Sequence, residues 1–271
     1  MKPLPTDPAF CIIAPTHYLQ HYATQSQRHL VLAHLVAQDP SYAEFYRQRS
    51  EAGDFIIMDN GAFELGSSYV PEELIRLGLL CGADALVLPD YPFQKTSVTV
   101  EAAEKWAGMV KDAGFYTMFV PQSMTGEKDD WMSGYVWAGH NGDIDIIGMS
   151  ILGIPNAIPH VPKSYARVVM TEILIEQGLF AHHKYHHYLG LNAGPALEIP
   201  PLLARGVLNS LDSSGPVWMA ILGHEYTRNA DSYMMVSKVK KEVEFDFPFI
   251  KDMPTHRRIQ TNLDLTLELF K

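Results

Sequence analysis

Cysteine is scarce in this chain: two among 271 residues, Cys11 and Cys81. They stand far apart, each inside an apolar stretch, which fits two buried thiols in a reducing cytoplasm and lends no support to a disulfide framework. Long apolar runs are missing too. None reaches the roughly 18–20 residues a bilayer span needs, so no membrane partner is expected. The opening MKPLPTDPAF has no apolar core of signal-peptide type, so export is not expected and the cytoplasm is the expected compartment. No repeat, low-complexity tract or long linker interrupts the chain, and one domain over 1–271 is the simplest organisation, with 230–271 as a C-terminal basic and helical extension. Positive charge is outnumbered: 21 Lys and Arg stand against 31 Asp and Glu, a formal charge of −10. That disfavours a surface coated in phosphate-binding residues. It leaves room for a local basic face, because charge is felt over only about 8–10 Å at physiological salt. Lys238, Lys240 and Lys241 in SKVKK, with Arg257 and Arg258 in HRR, offer such a face. The same residues also read as ordinary solvated surface.

What the chain does have is a succession of short, continuous apolar runs. Residues 10–15, 55–60, 85–90, 116–122, 145–150, 187–192 and 208–214 read as strands buried on both faces, as in a parallel sheet. Helix-like segments lie between most of them. SYAEFYRQRSEAG stops on a glycine, VPEELIRLGLLCGA opens on proline and two acids, and SVTVEAAEKWAGMVKDAG closes on Gly114. SYARVVMTEILIEQGLFAHH and NLDLTLELF complete the set. Alternating strands and helices at this length predict an α/β fold, a (β/α)8 TIM-type barrel. Seven strands are evident. PVWMAIL and VEFDFPF both qualify as the eighth.

Chemistry-bearing residues gather where these strands end. FIIMDNGAFE runs into Asp59, Asn60 and Gly61, which is turn chemistry and also the place where barrels keep reactive groups. Asp90 follows the next run, then Gln122, then Ser150 and Gly153, then Asn192 and Gly194, then Asp212. In a closed barrel these positions converge on one mouth. Three carboxylates around one cavity repel, so each needs a proton, a cationic partner or a ligand rich in N–H groups. A guanine-like base suits that demand: its N1–H and amino group donate to a carboxylate, and an amide such as Gln122 serves O6. A carboxylate beside an anomeric carbon can also act as a nucleophile and form a sugar ester.

These motifs, taken in order from Ile56 to Leu222, resemble the tRNA-guanine transglycosylase superfamily, most closely its short DpdA-type members that place 7-deazaguanines in DNA. MDNGAFE resembles the family's Asp-Ser-Gly-Gly-aromatic-Gln segment, which implies Asp59 as general acid and base. VLPD resembles the strand whose aspartate recognises the base, implying Asp90, and MFVPQS implies Gln122 as a base contact. DIIGMSILG is similar to the glycine-rich pocket lining, with Gly148 the matching glycine, and HYLGLNAG to the strand that follows. SLDSS falls where the family carries its nucleophile, implying Asp212. The chain lacks the Cys-x-Cys-x-x-Cys zinc cluster of the tRNA enzymes, and the arginine-containing segment after the nucleophile. Both departures fit the DNA-acting relatives better.

The reading that results is base exchange in DNA: guanine leaves, a 7-deazaguanine enters, and no cofactor is required. The partners are DNA with a flipped deoxyguanosine and a free 7-deazaguanine base, in a host cytoplasm if a phage encodes the chain. The rivals are a transglycosylase acting on tRNA, a non-catalytic barrel that binds modified bases, and, third, a lyase or aldolase barrel, for which no Schiff-base lysine or metal triad stands at a strand end. Phe63 and Tyr91 closely follow proposed site aspartates, so one is expected to stack on the base. HHKYHH places His182, His183, His186 and His187 at spacings that would pair i,i+4 on a helix and bind zinc. The favoured reading is a polar helix end followed directly by a strand, with no metal. His224, beside Glu225, is the scattered histidine of most interest.

Overall fold

The structure of the chain, a computed structural model, describes residues 1–191, 195–228, 250 and 252–271. Eight strands form it: β1 Ala9–Ile12, β2 Arg28–Leu32, β3 Phe55–Asp59, β4 Ala85–Val87, β5 Tyr116–Phe119, β6 Ile146–Gly148, β7 Tyr185–Tyr188 and β8 Ser210–Ser213. All hydrogen-bonded pairs are parallel, in the order β1-β8-β7-β6-β5-β4-β3-β2. β1 and β2 pack side by side at the remaining seam, so the sheet is a nearly closed barrel.

Twelve helices accompany the strands among the described residues. The first six are α1 Leu19–Tyr22, α2 Ala33–Gln38, α3 Pro40–Glu51, α4 Ala62–Leu65, α5 Pro71–Cys81 and α6 Thr96–Asp112. The others are α7 Lys128–His140, α8 Gly153–Ala157, α9 Lys163–Glu176, α10 Pro195–Ala204, α11 Gly215–Ile221 and α12 Met253–Glu268. This is the expected (β/α)8 fold. The five helices read from the sequence all form.

The eighth strand is neither of the two expected segments. PVWMAIL is the body of α11, and VEFDFPF lies outside the described residues. The missing strand is β2, RHLVL, whose flanking polar residues Arg28 and His29 hid a buried run. Leu30, Val31 and Leu32 are 0–4% exposed there. His29 is tolerated because its Nε2 meets Asp54 Oδ2 at 2.8 Å, and Asp54 also accepts from Arg49.

Strand alternation sorts the side chains into two cores. Cys11, Leu30, Phe55, Ile57, Val87, Met118, Val120, Ile146 and Tyr185 fill the barrel interior. The residues between them face outward and pack under the helices, in one cluster that reaches from Phe10 and Ile56 to Ile259 and Leu263 of α12. α12 packs against α11 and lies beside α1, where Tyr22 Oη bonds His256 Nδ1. Gly148 belongs to the inner layer. A Cβ there would stand 2.7 Å from Met118 Cε and 2.8 Å from Val120 Cγ2, so the barrel has no room for a side chain at this position. No described helix is long and apolar enough to cross a membrane.

Candidate active site at the barrel mouth

The inward alternation carries polar residues to the carboxyl ends of the strands, where barrel sites are built. Asp59 lies two residues beyond the interior Ile57. Asp212 pairs in register with the interior Cys11. His187 lies two beyond Tyr185, and Ser150 two beyond Gly148. Four strands, β3, β6, β7 and β8, thereby bring polar residues to one end of one barrel.

Two polar clusters form there. The first joins β3, β4 and β5. Asp90, 8% exposed, receives Asn60 Nδ2 on Oδ1 at 2.8 Å and Gln122 Nε2 on Oδ2 at 2.6 Å. Asn60 Nδ2 also donates to the Leu88 carbonyl at 2.8 Å, which ties the β3 loop to β4. Burial pushes the Asp90 carboxyl above its ordinary range, and the two amide donors only partly offset it. Gln122 has a structural task here. One of its N–H groups serves Asp90, and its Oε1, buried and without a hydrogen-bond partner among the described residues, packs toward Gly153.

The turn reading of Asp59-Asn60-Gly61 is also correct. Gly61 N donates to Asp59 Oδ2 at 3.1 Å and Ala62 N to Asn60 Oδ1 at 2.8 Å, two successive side-chain turns, with Gly61 at φ 78°. The turn is what aims Asn60 at Asp90 while leaving Asp59 on the inner face.

The second cluster joins β7 and β8. Asp212 is 4% exposed, and its Oδ1 accepts Gly190 N at 2.9 Å and meets His187 Nε2 at 3.1 Å. On the far side of the ring, His187 Nδ1 lies 2.6 Å from Ser210 Oγ. Ser210 Oγ on one side and Asp212 Oδ1 on the other fix the orientation of the imidazole. Ser210, His187 and Asp212 thus have the composition of a hydrolase triad. Ser210 and His187 are 0% exposed, so Ser210 orients the ring and is no accessible nucleophile. Both of the Asp212 hydrogen bonds from described residues fall on Oδ1, and none of these residues donates to Oδ2. Below it, burial and then the Asp212 charge hold the Cys11 thiol well above its usual range.

The clusters answer the repulsion that three acids at one mouth raised. Each carboxylate has N–H donors: side-chain amides at Asp90, a ring and a peptide at Asp212, a peptide at Asp59.

The other expected residues are placed as follows. Ser150 Oγ accepts from Leu152 N and Gly153 N, both at 3.1 Å, so it shapes its own loop. Gly148 is a packing glycine in the barrel. Phe63 stands on α4, directly after the Asp59 turn. Asn192 and Gly194 lie outside the described residues, as do Lys238, Lys240 and Lys241. Of the remaining basic pair, Arg257 is exposed, whereas Arg258 is committed to the fold: its Nε donates to Ala220 O and its Nη2 to Thr255 Oγ1. His224 and Glu225 are exposed and take no part in either cluster.

The histidine run needs correction. His182 and His183 sit in a turn and His186 and His187 on β7, so no i,i+4 helical pair exists and no helix end either. On a strand adjacent residues face opposite ways: His187 enters the barrel, and His186 turns outward to Tyr135 Oη at 2.8 Å. No group of metal-ligating residues occurs among the described residues. Sequence reasoning missed His187 as a partner of Asp212, as well as Ser210 and the Gly190 peptide. The signal was present, because a period of two through Tyr185, His187 and Leu189 matches the inner face.

No protein-family model matches the chain, and no curated protein matches it at a significant level.

Proposed function

We propose that this barrel exchanges guanine in DNA for a 7-deazaguanine base through a covalent aspartyl–sugar intermediate. The observation that carries the reading is the pair of buried carboxylates, Asp90 and Asp212, each held in its own polar cradle at the same end of one barrel. Asp90, with Asn60 and Gln122 fixing both its oxygens, offers remaining lone pairs to the N1–H and amino group of a guanine-type base. Asp212 is clamped at Oδ1, which leaves Oδ2 to attack C1′. As that C–O bond forms, the bond from C1′ to the base nitrogen breaks and Asp59 gives its proton to the departing guanine. The incoming base then gives a proton to Asp59, attacks C1′ and releases Asp212. One glycosidic bond replaces another, so bonds and protons balance with no outside reductant or energy source.

The test is direct. Wild-type protein incubated with labelled guanine and duplex DNA should incorporate label into DNA, and Asp212→Asn should abolish incorporation and the denaturant-stable protein–DNA adduct. Label entering tRNA and never DNA would transfer the reading to a tRNA enzyme. Unchanged incorporation by Asp212→Asn would remove Asp212 as nucleophile. An absence of exchange in wild type, with guanine still bound, would indicate a binding module.

A further inference from the structure

Behind the second cluster lies a buried ion pair. Arg167 on α9 and Glu198 on α10 are 0% and 2% exposed, and they meet twice, Nε to Oε1 at 2.6 Å and Nη2 to Oε2 at 2.7 Å. The other three guanidinium N–H groups go to backbone carbonyls at the ends of two strands. Nη1 donates to Met149 O at 3.0 Å and Leu189 O at 2.9 Å, and Nη2 donates to Gly190 O at 2.7 Å. All five N–H groups of the side chain are used.

One of these acceptors matters for the site. The Leu189 carbonyl and the Gly190 N–H belong to the same peptide unit. In a trans peptide the two point in opposite directions. Arg167, together with the Ile151 N–H at 3.0 Å, holds the oxygen, and the N–H on the other side is thereby aimed inward at Asp212 Oδ1. Gly190 completes the device. Its φ is 72°, a left-handed conformation, and a Cβ would stand 2.9 Å from Ile151 Cγ2.

We propose that Arg167, held by Glu198, is a positioning residue for Asp212, acting through the Leu189–Gly190 peptide. The proposal rests on Asp212 being the reactive carboxylate. A buried ion pair is a costly way to stabilise a fold, since well-packed apolar residues of similar volume often serve as well, whereas removing one partner leaves a buried charge. Positioning supplies a reason for retaining the pair here.

The same reasoning selects the experiment. The double substitution Arg167→Met with Glu198→Leu removes both charges and keeps the volume. It should fold, with amides of Ile56 and Ile57 in β3 as protected as in wild type, while the Gly190 amide exchanges with solvent at least tenfold faster. In the base-exchange assay its kcat should fall tenfold or more, with free-guanine affinity within twofold of wild type, because the base-reading residues are untouched. Unaltered protection at Gly190 in the folded double variant would overturn the proposal. If the double variant does not fold, Arg167→Lys decides: it keeps the charge but spans fewer acceptors, and the same acceleration at Gly190 is expected. The amide measurement needs no substrate. A wild-type protein that exchanges no guanine would therefore end the proposed chemistry and still leave the role of Arg167 to be settled by Gly190.

Discussion

Single side chains at the mouth do two tasks, and substitutions separate them. Gln122→Leu keeps volume and withdraws an N–H from the buried Asp90 carboxylate, which should cost about 1–3 kcal/mol in urea unfolding. It should also weaken binding of free guanine, read by calorimetry, because the carboxylate is no longer held. Gly148→Ala tests the barrel alone. Its methyl would meet Met118 and Val120 at under 3 Å, and overpacking of this kind should cost about 1–3 kcal/mol. Asp59, Asn60, Asp90 and Asp212 were legible one at a time, because acids and amides immediately after apolar runs are visible in a sequence. The bonds Asn60 and Gln122 make to Asp90 were not, since 30 and 32 residues separate the partners.

At the level of the element, local chemistry predicts well where it is complete. α3 is an example: Asp39 Oδ1 accepts from Ser41 N and Tyr42 N, Pro40 follows as the first helical residue, and the helix closes before Gly53. Asp39→Ala should cost about 1 kcal/mol in thermal or urea unfolding. The Ser41 hydroxyl, foremost, holds the Asp39 carboxyl below its usual value. A depressed carboxylate stabilises above its unfolded pKa and loses that contribution as pH falls through the folded value. The difference between wild type and Asp39→Ala should therefore persist at neutral pH and vanish in acid. Elements whose signals conflict were misread. RHLVL begins with two polar residues and HHKYHH is nearly all polar, yet both supply barrel strands, because His29 has Asp54, His186 has Tyr135 and His187 has Asp212. A polar residue with a remote partner looks like surface until the partner is seen.

Across the whole molecule, buried histidines should make stability fall on acidification. Burial lowers the pKa of His29, against the pull of Asp54, and of His34, and brings His186 to about 3. A depressed histidine binds its proton more readily in the unfolded chain. Stability is therefore lost as pH falls below the unfolded value of about 6.5 and continues falling toward the folded value. Denaturation midpoints should begin to drop near pH 6.5, above the range of ordinary carboxylates, and His186→Phe should flatten that slope between about pH 6.5 and 3 relative to wild type. Asp90 acts in the other sense: its raised pKa makes the folded state gain relative stability on acidification.

By itself the sequence determined the α/β class, because continuous apolar runs alternating with amphipathic helices pack as a parallel sheet covered by helices, and the number of such units at this chain length suits a barrel. It also indicated the end of the barrel at which acids and amides gather, because strand ends carry the turn formers and acids. Only the tertiary structure decided who partners whom: Asn60 and Gln122 with Asp90, His187 and the Gly190 peptide with Asp212, Arg167 with the peptide behind them. The physical reason is that strand periodicity assigns each residue a face from its near neighbours, whereas a hydrogen bond between loops depends on barrel closure, which brings distant segments within 3 Å and leaves no local trace in the chain.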